Sequence, residues 1–159
     1  MQGASVFIDS TTFLYSHDGS DLAKRDRARR WLTRLTHSDT GVTNLQVLNE
    51  VTNVLIRKAY WFAAGSPFTR VDVFADFGVS PLSNEAAFAA RAIQEQTRYS
   101  WWDCLLLASA LELRCTHFLS EDLQDGQMIA VSLASKQSGR SLTIVDPFAH
   151  TPEQILPSR

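Results

Sequence analysis

Three apolar runs without polar alternation stand out along the chain: Val6-Phe7-Ile8 behind Ser5, His117-Phe118-Leu119 between Thr116 and Ser120, and Leu142-Thr143-Ile144-Val145. Runs of this kind predict strands buried on both faces, as in a parallel sheet covered by helices. Thr40–Thr43 and Val79–Leu82 predict two shorter strands. Between them the apolar period changes from continuous to helical. Ala28, Trp31, Leu32 and Leu35 mark a helix over Asp21–Leu35, and Val47, Leu48, Val51, Val54 and Leu55 mark a longer one from Asn44 to about Tyr60, with Thr43 as its N-cap. Trp61–Gly78 is broken by Gly65 and Pro67 and then carries Val71, Val73, Phe74 and Phe77 at the spacing of a short helix. Ser83 caps an Ala-rich helix to about Thr97, and Tyr99–Asp103 opens the most apolar helix, Cys104–Leu113. Strands alternating with helices predict a three-layer α/β/α domain spanning 1–159, with its core at about 5–148.

Acids close these runs. Asp9 ends the first strand and Glu121-Asp122 follows the strand at Thr116–Ser120. In a parallel sheet both strand ends lie on the same edge, where open α/β folds bind ligands. Asp9 is equally well placed to cap the following turn, for which Ser10, Thr11 and Thr12 also compete. Ser100-x-x-Asp103 has capping-box spacing, and the start of that helix falls on the same sheet edge after a right-handed crossover. Glu50 sits at the border of an apolar stripe beside Val54, flanked by Gln46, Asn53 and Arg57, where it can turn to water or into a cleft. Four such carboxylates drawn together would raise at least one pKa sharply unless a cation neutralised them. All-oxygen ligands favour Mg2+ or Mn2+ over zinc.

Composition adds limits. The 159 residues are 45% hydrophobic and 20% charged, an ordinary globular proportion, and the net charge of -2 implies no long-range attraction to a polyanion, so such a partner must be met by a local patch. A local exception is the helix with Lys24, Arg25, Arg27, Arg29, Arg30 and Arg34, which reads as a solvated face or as an RNA-contacting one. Cys104 and Cys115 lack metal or redox spacing and read as buried thiols. No apolar stretch approaches the roughly 20 residues that span a bilayer, and no basic leader precedes the first run, so a cytoplasmic protein without membrane contact is expected. His17, His37, His117 and His150 have no accompanying nucleophile motif.

FIDSTTFLY, QVLNEVTNVLIRK, SWWDCLLLASAL, FLSEDLQDGQ and IVDPF, in this order, resemble the PIN-domain ribonucleases, specifically the VapC-type toxins of bacterial toxin–antitoxin systems. The resemblance implies a five-stranded parallel sheet of order 3-2-1-4-5. It also implies a Mg2+-dependent endoribonuclease site of Asp9, Glu50, Asp103 and Asp122, with Thr11 and Ser120 as polar neighbours. Implied partners are an RNA substrate, a cognate antitoxin and a second copy of the chain, with Trp61–Phe77 as part of the antitoxin groove. Position 11 is often Asn in the family, Glu121 adds an acid beside Asp122, and Asp146 replaces a frequent Asn and reads as a turn residue. On a strand Glu121 would point away from Ser120 and Asp122. The competing reading is a catalytically silent interaction module with the same fold.

Overall fold

The computed structural model describes residues 5–58, 65–133 and 136–158. The chain runs β1 (Val6–Ile8), α1 (Ser10–Tyr15), α2 (Leu22–Ser38), β2 (Gly41–Asn44), α3 (Leu45–Arg57), α4 (Pro67–Ala75), β3 (Val79–Ser80), α5 (Asn84–Thr97) and α6 (Trp101–Glu112). It continues through β4 (His117–Leu119), β5 (Met128–Leu133), β6 (Lys136–Val145) and α7 (Pro152–Ile155). Helices flank one mostly parallel sheet of order β3-β2-β1-β4-β6-β5.

The sheet departs from the expected five parallel strands in one respect. Five strands are parallel, but the fifth of them is β6, because β5 forms an antiparallel hairpin with it and becomes the sheet edge. Met128–Leu133 alternates exposed and buried residues along its length, as an edge strand with one wet face requires. Pairing with β5 also lengthens β6 well beyond Leu142–Val145. A second correction concerns α3: Asn44, not Thr43, is its N-cap, the Asn44 carboxamide accepting from Val47 N at 3.0 Å. Thr43 stays in β2 and donates its hydroxyl to Ile8 O at 3.1 Å, which ties the ends of β1 and β2 together.

β1 and β4 are fully paired, Ile8 opposite Leu119, and the Phe7 and Phe118 rings stack at 5.1 Å between them. Gly41 begins β2 where a Cβ would meet Phe77 Cδ1 at 2.8 Å and Ile8 Cδ1 at 3.0 Å, so any side chain there would force these packed side chains to shift. Trp31 is buried in α2 and donates its indole N–H to Pro147 O and His150 O, which fastens the C-terminal segment. Asp146 accepts from Phe148 N at 2.8 Å, the turn role expected of it. Cys104 and Cys115 are buried free thiols, and burial pushes Cys115 up to about 12. Among the described residues no helix is long and apolar enough to cross a membrane. Tyr60, Trp61 and Phe62, which the sequence reading placed in the end of the long helix and the start of the aromatic segment, lie outside the described residues.

Candidate active site

β1 delivers Asp9 to the C-terminal edge of the sheet. Its carboxylate does cap α1, with Oδ1 2.6 Å from Ser10 N, and it remains only 7% exposed. Burial pushes this carboxyl up to about 7; the Ser10 amide acts against the shift, and the charges of Glu50 and Asp103 add to it. Cap and charged-cluster member are thus one residue.

Glu50 reaches Asp9 from α3. That helix is held by its buried stripe Val47, Leu48, Val51 and Leu55, and its start is held by Asn44, whose amide also donates to Ser109 of α6 at 3.2 Å. Gln46, one turn before Glu50, donates to Glu50 Oε1 at 3.3 Å and to Trp102 O at 3.5 Å. A single carboxamide therefore links the Glu50 carboxylate to the first turn of α6, where Asp103 sits. Asp103 is braced by Ser100, whose hydroxyl lies 2.7 Å from Oδ2 and accepts from Asp103 N at 3.1 Å. A carboxylate in a first helical turn is also favoured by the helix dipole.

Ser120 follows Leu119 in register beside Asp9 and is buried. Beyond it the strand ends and the chain bends, so strand alternation does not extend to the next two acids. Asp122 is exposed, its N–H donating to Ser120 Oγ at 3.2 Å. Glu121 instead turns toward α2, where Lys24 Nζ lies 2.6 Å from its carboxylate. Lys24 is held over the rings of Tyr15 and Phe148, at 4.6 and 5.0 Å from their centroids. Thr11 is half-buried, and its hydroxyl is shielded without a hydrogen-bond partner, as is Gln46 Oε1.

The donor chemistry fits a hard divalent cation. Asp9, Glu50 and Asp103 supply only oxygen, burial with a smaller push from the charges of Glu50 and Asp103 raises the Asp9 carboxyl to about 7, and an orphaned hydroxyl stands beside it on the next turn. Their side chains are nonetheless not gathered at one point: among the described residues no three acids, histidines or cysteines are close enough to share an ion. The structure places Glu50 and Asp103 within electrostatic reach of Asp9 and leaves Asp122 at the rim.

Two positioning residues were only partly visible in the sequence. Gln46 stands four residues before Glu50, the spacing of a helical neighbour, yet its bond to the Trp102 carbonyl depends on how α3 and α6 meet. Lys24 looked like one cation of a basic face, and nothing in the chain hints at its pairing with Glu121.

A family model described as the PIN domain matches residues 6–124. The fold is similar to the crystal structure of VapC20 from Mycobacterium tuberculosis, described as a sarcin–ricin loop cleaving toxin. The two share 16% identity with a TM-score of 0.53, over 72% of this chain and 87% of that one. The sequence matches none of the curated proteins.

Proposed function

The chain belongs to the PIN domain family, and on that premise we propose that it is a Mg2+-dependent endoribonuclease of the VapC type, a toxin restrained by a cognate antitoxin. The observation that carries this reading is the Asp9 carboxyl, pushed up to about 7 at the sheet edge by burial and by Glu50 and Asp103. A buried acid kept among like charges costs stability unless a cation or a proton relieves it, and such perturbed acids cluster at functional sites.

In the proposal Asp9, Glu50, Asp103 and Asp122 hold Mg2+, with Mn2+ as a substitute, and Thr11 and Ser120 support them; Glu121, turned to Lys24, lies outside the metal set. When bound, the cation supplies positive charge against the phosphodiester and its departing 3′-oxygen and acidifies the attacking water. Gln46 holds Glu50 Oε1, so Oε2 is the free oxygen that orients that water and accepts its proton. Asp122, exposed at the rim, is the alternative acceptor. Ser100 keeps Asp103 turned toward the helix start, and Thr43 fixes the backbone just ahead of Asp9. RNA is the substrate, and the sarcin–ricin loop named for VapC20 makes loop RNA the first to try.

The antitoxin would cover apolar surface and direct a basic side chain at the acids. In the described part of the predicted groove, Phe68 and Val73 of α4 are 56% and 58% exposed and available to it. We assign residues 1–159 to a single PIN domain that acts as a homodimer in the cytoplasm.

The test is cleavage of a loop-containing RNA by purified protein with Mg2+, with EDTA, and with Mg2+ restored. Cleavage should vanish with EDTA, return with Mg2+ and be absent in Asp9→Asn. Cleavage indifferent to EDTA would overturn the metal reading, and RNA binding without cleavage at any Mg2+ or Mn2+ concentration would leave an interaction module.

A further inference from the structure

Next to the acids lies a cleft of about 480 Å3, whose walls include Thr11, Leu14, Tyr15, Val54, Lys58 and Glu121. Its volume is in the range of small-ligand sites, about 300–1,000 Å3. Two of its walls continue the acid cluster. Thr11 follows Asp9 on α1, and Val54 lies one helical turn, about 5.4 Å, beyond Glu50 on α3.

We propose, building on the nuclease reading above, that this cleft receives one unstacked base of the RNA strand beside the scissile phosphate, and that it prefers a base with an exocyclic amino group. Leu14, Tyr15 and Val54 give apolar contact of the kind bases use when they leave the stack. The polar lining is net acidic, which disfavours a phosphate in the same place. Glu121 and Asp18 both line the cleft against a single cation among the described residues there, Lys58, which already acts on Asp18. Glu121 is already oriented by Lys24 at 2.6 Å through one oxygen, and a carboxylate keeps further lone pairs for an amino donor. A cytosine, adenine or guanine offers the amino group that Glu121 can accept from; uracil does not.

Gly19 also lines the cleft, and a Cβ built there meets nothing within 4 Å, so a large side chain can fill the space from the loop side. Val54→Phe fills it from the helix side. The experiment measures kcat/KM of wild type, Gly19→Trp and Val54→Phe in Mg2+ on short RNAs of one sequence, in which a single abasic ribose is moved through the positions flanking the cleaved bond. One flanking position should lose about tenfold when its base is removed. Uracil at that position should fall between the abasic sugar and cytosine. Both variants should cleave intact RNA only as well as wild type cleaves that one abasic RNA, and should lose the position dependence. The use of two variants from opposite walls guards against a folding defect in either.

Equal cleavage of all abasic RNAs by wild type overturns the cleft assignment and leaves the nuclease reading intact. Absence of any Mg2+-dependent cleavage by wild type overturns both. If the variants keep the base dependence but escape inhibition by an antitoxin, the cleft is a protein-docking site and the base assignment falls.

Discussion

Lys24 of the second helix and Glu121 of the bend after the fourth strand, 97 residues apart, meet at 2.6 Å beside the candidate active site. The pair turns one of two adjacent acids away from the strand direction and leaves the other, Asp122, at the rim. Both side chains keep partial contact with water, with 33% and 20% exposure, so the pair contributes on the scale of a surface ion pair.

Glu121→Gln should therefore lower stability by about 0.5–1 kcal/mol, a fall in melting temperature of about 1–4 °C. It should leave the Mg2+ concentration for half-maximal cleavage nearly unchanged. Asp122→Asn should leave the melting temperature alone and raise that Mg2+ concentration. The comparison is a Mg2+ titration of cleavage after thermal unfolding of both variants; a stronger Mg2+ dependence in Glu121→Gln would make Glu121 the ligand.

Asp9 predicts a pH dependence of stability. Its folded pKa is raised from 3.8 to about 7, so the native state holds this proton more tightly than the unfolded chain does. The stabilisation is complete below about pH 4 and is lost as pH rises through 7, with a ceiling of about 4 kcal/mol. His17 and His117, lowered by burial, act in the opposite direction on acidification, so the difference between wild type and Asp9→Asn isolates Asp9. In EDTA the variant should gain on wild type as pH rises from 5 to 8, while its carboxamide oxygen still caps the first helix. Mg2+ at pH 8 should raise the melting temperature of wild type and not of Asp9→Asn; parallel melting curves across this range would refute the shift.

Gln46→Leu should reduce cleavage by about 10- to 100-fold, as loss of a group that orients a ligand does. Because Gln46 sits at a half-exposed border, unfolding should shift by under about 1 kcal/mol. A merely structural role would predict the reverse, with stability falling and the pH profile of cleavage unmoved.

Asn44→Ala removes the cap of the third helix and the bond to Ser109 in one step. A lost cap costs about 1 kcal/mol, and the buried Ser109 hydroxyl left unpaired adds about 1–2. Chemical denaturation should show a loss of about 2–3 kcal/mol with an unchanged m-value. A loss under about 0.5 kcal/mol would mean that water replaces both bonds.

Local physics made much of this protein readable from the chain. Unbroken apolar runs located β1, β4 and the end of β6, helical spacing located α2, α3, α5 and α6, and the acids at their ends pointed to one sheet edge. The motifs along the chain resemble those of PIN domains, and the family match bears this out. The β5–β6 hairpin lies outside the expected strands, although Met128–Leu133 carries the alternation of exposed and buried residues that an edge strand has.

What the sequence determined by itself are properties set by near neighbours: buried strands, amphipathic helices, caps at Ser83 and Ser100, and an acid at each critical end. The tertiary structure decided which of those acids share a field. Asp9, Glu50 and Asp103 come within reach because β1, α3 and α6 converge and Gln46 bridges the last two. Glu121 turns to Lys24, and Asp122 to water, because the chain bends immediately after β4. A carboxylate's pKa and partner depend on burial and on charges far away in sequence, and no periodicity along the chain encodes those distances.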